Sequence, residues 1–243
     1  MCGIAGLIHR GKKSDVGAEM TSMLQALKHR GPDSTGYAVY GAASEGDYIM
    51  RFILAEQDAM RKSFDMNDKV AARLEEVEKR LALHGAVIKD REHSTAYALR
   101  YVIQHEGDTE VLARHIEDVD GVEILSLGSS LELIKDLGDA SVVSAQYGLM
   151  DFSGTHGIGH TRMATESDVD IRSAHPYWAF PYNDVSVVHN GQITNYWLMR
   201  RDMEHKGHRF MSSCDSEVLA VYTAHNMSIG MTLEESLRAS ITD

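Results

Sequence analysis

The sequence predicts one large domain of mixed helices and strands, interrupted in its middle by a compact α/β insertion. Three observations predict it. Short apolar runs carrying glycines, the mark of buried strands with close backbone approach, open the chain at residues 3–9 (GIAGLIH) and return at 155–165 and 184–191. Between the first two lies a helical stripe, with Val16, Met20, Met23, Leu24 and Leu27 on one face, Ser14 or Asp15 as cap and Gly31-Pro32 as stop. From about residue 50 to residue 148 the character changes to charged, amphipathic segments.

In chain order, residues 3–9 read as strand, 15–29 as helix and 37–41 (YAVYG) as strand. Within the middle region, 67–83 reads as an amphipathic helix, 86–89 as strand, 94–107 and 110–119 as helices, 122–128 as strand and 130–138 (SLELIKDLG) as helix. That alternation is what predicts an α/β insertion over 50–148. Strands follow at 155–165 and 184–191, then helices at 195–206, 216–226 and 232–241.

Composition excludes several classes of function. The 243 residues are 43% hydrophobic and 25% charged with only three prolines, which suits a folded globular chain with a sizeable core. The formal charge is −12 and no basic run tracks a phosphate backbone or an anionic surface, so neither nucleic acid nor membrane is expected as a partner. Nowhere do eighteen apolar residues run together, and residues 1–11 hold no signal-peptide core; a cytoplasmic location is the simplest expectation. Cys2 and Cys214 are too few for a disulfide framework, so each is read as a single thiol.

Cys2 directly follows the initiator methionine. A lone cysteine is by default a small buried residue. The alternative is that Met1 is removed, leaving Cys2 with a thiol and a free α-amine. Their reference pKa values of about 8.5 and about 7.7–8.0 make proton transfer between them easy near neutrality. Such a nucleophile needs oxyanion donors, and after the apolar VSVV run Asn190 offers a side-chain amide and Gly191 an unobstructed N–H; the competing reading is a plain Asn-Gly turn. It also needs substrate anchors. Arg162 suits a carboxylate and Asp215 an ammonium, against the alternatives of a surface ion pair and a helix N-cap. Thirteen histidines raise a metal reading, but His156/His160 are separated by glycines and His205/His208 lack further ligands, so no metal is expected. Cys214 reads as packing beside Asp215.

Taken together, MCGIAG, KHRGPDSTGYA (28–38), GHTRMAT (159–165), SAHPY (173–177), VVHNGQITN (187–195) and SSCDSEV (212–218) occur in an order that resembles the class II, or N-terminal nucleophile, glutamine amidotransferases. The match covers 1–41 and 154–226. The resemblance implies an α+β fold, the four-layer αββα sandwich, with all of 1–243 as the amidotransferase domain and 50–148 as an insertion. It implies that Cys2 attacks the carboxamide of L-glutamine to give a glutamyl thioester and ammonia. Asn190 and Gly191 then form the oxyanion hole, Arg162 binds the α-carboxylate and Asp215 the α-amine, and Thr165, His175 and Arg30 line or support the pocket. No cofactor is implied. The long insertion resembles that of stand-alone amidotransferase subunits related to glutamate synthase and N-methylglutamate synthase, so the expected ammonia acceptor is a flavin-containing synthase subunit. An amidase acting on another amide, or a glutamine-binding regulatory subunit without turnover, are the alternatives. Two departures stand out. Arg-Met-Ala-Thr-Glu-Ser (162–167) replaces the family's Arg-Trp-Ala-Thr-His-Gly, so the loop closing over glutamine is expected to behave differently. The chain also ends at Ser-Ile-Thr-Asp, where the resemblance implies further strands, so it reads as a fragment or as taking those strands from elsewhere.

Overall fold

The structure is a computed structural model that describes residues 2–42, 46–55, 60, 65–164 and 169–241. Among these, two four-stranded antiparallel sheets organise the chain. The first has the order β1 (Gly3–Ile8), β8 (His156–Arg162), β2 (Ser34–Tyr40), β7 (Leu131–Leu137). The second has the order β4 (Val87–His93), β5 (Ala98–Gln104), β3 (Asp47–Ile53), β6 (Glu123–Gly128).

The Met/Leu stripe forms α1 (Val16–Ala26), which buries Val16, Met20 and Leu24 against the first sheet. Alternation along β8 makes that packing close. A Cβ on Gly159 would lie 2.6 Å from Leu24 and 2.9 Å from Met20, and one on Gly157 3.3 Å from Val16, so glycines face the helix. The intervening residues His156, Ile158, His160 and Arg162 therefore share the opposite face. That face carries Ala38, Tyr40, Leu131 and Ile158, packed on Trp178 of the short ribbon β9 (Tyr177–Trp178) and β10 (Ser186–Val187). The ribbon is covered in turn by α6 (Glu217–Ser228), through Ala220 and Ala224 against Tyr177 and Ala179. Helix, sheet, β layer and helix thus succeed one another in an α+β sandwich, the second β layer here being the ribbon.

The second sheet packs its own helices, α2 (Met66–Leu83) and α3 (Thr109–Glu117), through Val77, Leu81, Leu112 and Ile116 onto Phe52, Tyr101 and Ile103. It meets the first sheet along β7. Glu132 of β7, only 3% exposed, accepts hydrogen bonds from Arg51 Nε at 2.9 Å and from Arg100 Nε at 2.8 Å. Burial alone would raise the Glu132 carboxyl, but the two guanidiniums outweigh it and hold the carboxyl below the usual range. Asp136, four residues on, accepts from the hydroxyls of Tyr97 and Tyr147.

Several expectations need correcting. Residues 94–107 contain β5 rather than a helix, because Leu99, Tyr101 and Ile103 alternate onto the helical layer of the second sheet. Residues 130–138 form β7, also not a helix: Asp184 accepts from the backbone N–H groups of Ser130 and Leu131, fixing a tight turn out of β6, and β7 then pairs with β2. This redraws the insertion expected over 50–148. The second sheet runs from Asp47 to Gly128, whereas β7 and α4 (Ala140–Gln146) belong to the first, α4 packing Val143 beside α1. The remaining helices are α5 (Tyr196–His205) and α7 (Leu233–Ala239). No helix among the described residues is long and apolar enough to cross a membrane.

Candidate active site

The N-terminal strand brings Cys2 to the end of β8, since Gly3 pairs with Thr161 and the next residue of β8 is Arg162. The half-buried thiol faces the backbone of Met163, whose N–H donates to Sγ at 3.4 Å and whose carbonyl accepts from it at 3.7 Å. This turn is itself held: Asp33 accepts from the N–H of Ala164 at 2.8 Å and donates its own N–H to the Arg162 carbonyl. Two sequence-predicted residues converge on the backbone of Cys2, because Arg30 Nε and Asn190 Nδ2 donate to its carbonyl at 3.1 and 3.0 Å.

Cys2, Arg162, His175, Asn190, Gly191 and Asp215 all line one cavity of about 450 Å³, a volume suited to a small polar molecule. Arg162 is 4% exposed and sits on the inward face of β8, which does not suit a surface ion pair. Asp215 does not cap α6; its carboxylate accepts from the N–H of Ile193 at 2.7 Å, across from the segment that carries Asn190. Neither Asn190 nor Gly191 has the positive φ that a type I′ Asn-Gly turn requires. Cys214, 7% exposed, packs with Tyr177, Ala220 and Ala224, as its packing role predicts. Thr165 and the Glu166-Ser167 departure lie outside the described residues.

Behind Arg162 the histidine rings stack: His160 on His175 at 4.2 Å, and His156 on Tyr40 at 4.1 Å. The segment bearing His175 crosses β2 at Gly36, where a Cβ would come within 1.8 Å of the His175 carbonyl oxygen. Burial, reinforced by Arg162, pushes His160 down to about 4, against a hydrogen bond that the ring donates to the His189 backbone. Burial, with His160 next, takes His175 well below the usual range. At neutral pH both rings are therefore uncharged, and Arg162 is the cation on this wall.

Several residues were not singled out from sequence. His189 Nδ1 lies 2.9 Å from the Ser216 hydroxyl, which also donates to Asp215 at 3.2 Å, linking the 189–193 segment to the 212–216 loop. Trp197, 72% exposed, stands on the cavity's rim. Glu217 is inward-facing despite opening α6, where an acid is ordinarily read as a favourable charge at a helix start.

Residues 1–127 and 160–238 match two family profiles, each described as a glutamine amidotransferase domain. The chain is 38% identical to a putative glutamine amidotransferase of Methanothermobacter thermautotrophicus, over all of this chain and 78% of that protein. It is 32% identical to the glutamine amidotransferase-like protein GlxB of Rhizobium meliloti, over all of this chain and 76% of that protein. In three dimensions it matches the allosteric regulatory enzyme of purine biosynthesis with a TM-score of 0.53 at 16% identity, covering all of this chain and 33% of the other, a likeness of fold alone. The order of the motifs, the α+β sandwich and these matches lead to one conclusion: the chain belongs to the class II glutamine amidotransferases.

Proposed function

We propose that the protein hydrolyses L-glutamine to glutamate and ammonia with Cys2, freed of Met1, as nucleophile. The observation that carries this reading is the convergence of Cys2, Arg162, Asn190-Gly191 and Asp215 on one cavity. Arg162 takes the α-carboxylate of glutamine as a planar two-donor partner, and Asp215 takes the α-ammonium. The carboxamide carbon then lies before the Cys2 thiol.

The α-amine of Cys2 removes the thiol proton as sulfur attacks, and the developing oxyanion is met by the Asn190 amide and the Gly191 N–H. In the free protein that amide donates to the Cys2 carbonyl, so it already stands beside the residue that reacts. Collapse of the tetrahedral species breaks the C–N bond, the protonated amine delivers its proton to the leaving nitrogen, and ammonia departs. Water, deprotonated by the same amine, attacks the thioester carbonyl and releases glutamate with regeneration of the thiol. Arg30 supports the site by fixing the Cys2 carbonyl, while His175 forms its neutral back wall. The chemistry calls for no cofactor.

The proposed ammonia acceptor is a synthase subunit, flavin-containing and related to glutamate synthase, in a cytoplasmic complex. What supports it is the extra sheet from Asp47 to Gly128, which gives this chain a long insertion, the feature in which its sequence resembles stand-alone subunits of that type. Ammonia-dependent synthase activity in the material that co-purifies with the chain would test this partner. For the reaction itself, glutamate release by the mature protein should vanish in Cys2→Ala, and amides that lack either of the two charged ends of glutamine should be poor substrates.

A further inference from the structure

Resting on the glutaminase reading above, we infer that Glu217 is a positioning residue that sets the amino-group specificity of the site by holding the loop that presents Asp215. The Glu217 side chain is 6% exposed. Its two carboxylate oxygens gather the preceding loop: one accepts from the N–H of Met211 at 2.7 Å, the other from the N–H of Ser212 at 2.8 Å and the hydroxyl of Ser212 at 2.6 Å. The Ser212 oxygen accepts in turn from the N–H of Cys214 at 3.2 Å. Four donors over 211–214 are thus tied, directly or through one hydroxyl, to a single carboxylate immediately before Asp215.

Beyond the loop the connection continues into the site. Asp215 accepts from Ile193 N–H and from the Ser216 hydroxyl, and Ser216 contacts His189, one residue before Asn190. Asp215 already spends one oxygen on Ile193, so the direction of its other oxygen decides whether a substrate ammonium is met. A carboxylate on a short loop has no helix to hold it; here the loop is held by Glu217 from inside. From outside, Arg200 donates to the Ser212 carbonyl and Tyr196 to that of Ser213, contacts that fix position without touching the amide donors. Glu217 touches neither glutamine nor Cys2, and its effect passes through Asp215.

The discriminating substrate is glutaramate, which has the amide and the carboxylate of glutamine but no α-amine. For the wild type, kcat/KM should favour glutamine. Glu217→Gln keeps an acceptor for Ser212 but turns an N–H₂ group on the Met211 N–H, and Glu217→Ala removes the acceptor of both backbone N–H groups, leaving the Ser212 hydroxyl only its longer contact of 3.5 Å to the Tyr177 hydroxyl. We expect kcat/KM for glutamine to fall about tenfold or more in the alanine variant and less in the glutamine variant, mainly through KM, as loss of a hydrogen bond to a charged group implies. Activity on glutaramate should change by less than about twofold, so the preference narrows as it does in Asp215→Asn, and the double variant narrows it no further.

Equal losses on both substrates, or an unchanged preference, would overturn the inference. Should Glu217→Ala fail to fold, Glu217→Gln alone decides on the same criterion. A wild type that binds glutamine without turnover would sink the glutaminase reading but leave this one standing, to be read on the ratio of Kd values. A wild type with no preference for glutamine over glutaramate would sink the role given to Asp215 and with it that of Glu217.

Discussion

Replacing Glu117 by glutamine should stabilise the protein above neutral pH and do little at pH 5. Glu117 ends α3, where its carboxylate faces Glu123 of β6 in a small cavity of about 70 Å³ between the second sheet and α6. Burial first and the Glu123 carboxylate second push it up to about 7, against the N–H of Ile124 at 3.4 Å and the pull of Arg209 and Arg114. The sign follows from linkage. A carboxyl raised in the folded state is protonated in both states at low pH and there costs nothing. As pH climbs from the unfolded value toward 7, the unfolded chain releases the proton first, so stability falls through that window. The interval from 4.5 to about 7 corresponds to at most about 3–4 kcal/mol, and partial solvent access reduces this to about 1–2 kcal/mol. Glutamine keeps an acceptor for Ile124 and carries no charge. Thermal unfolding of both proteins at pH 5 and pH 8 should show a gap that opens with pH to about 3–6 °C in favour of the variant. A gap independent of pH, or one that closes toward pH 8, would refute the argument.

Other perturbations should be equally legible. Gly36→Ala places a methyl 1.8 Å from the His175 carbonyl oxygen, so a backbone segment that lines the site must move; a stability loss of about 3 kcal/mol and reduced glutamate release are expected by denaturation and assay. Gly159→Ala meets first the flexible ends of Leu24 at 2.6 Å and Met20 at 2.9 Å and then the Gly36 carbonyl oxygen at 3.1 Å, so a loss of about 1–2 kcal/mol, smaller than that of Gly36→Ala, is expected, and a larger one would contradict the packing given for α1. At acid pH the depressed His160 works oppositely to Glu117. Its unfolded form takes a proton near pH 6.5 while the folded form waits until about 4, so stability should decline across that interval by about 2–3 kcal/mol, and His160→Gln should flatten the decline in urea titrations.

How much of this was written in the sequence depends on what each segment packs against. The stripe at Val16, Met20 and Leu24 announces its helix because one face meets a sheet and the other meets water. The run Leu131 to Leu137 reads equally well as helix or strand, since every residue but the last is buried and no solvent face breaks the degeneracy. What decides it is Asp184, more than fifty residues away, which pins the turn before it. The site follows the same logic. Cys2, Arg162, Asn190 and Asp215 are visible as candidates because the short motifs that carry them, each ambiguous alone, follow one another in the order of the amidotransferases. Glu217 was hidden because its work is to accept from backbone N–H groups of the preceding loop, a relation that no spacing rule records. The Asp33 clamp on Ala164 is invisible for the same reason.

The proposed chemistry turns on the amino terminus. Intact-mass and N-terminal sequencing of the purified protein, run beside a glutamate-release assay on the same material, tests it most directly. The expected result is a chain beginning at Cys2 whose activity is lost on Cys2→Ala, with a glutamyl thioester on Cys2 trapped by rapid acid quench. Full glutaminase activity from a chain that retains Met1, or from the Cys2→Ala variant, would contradict it.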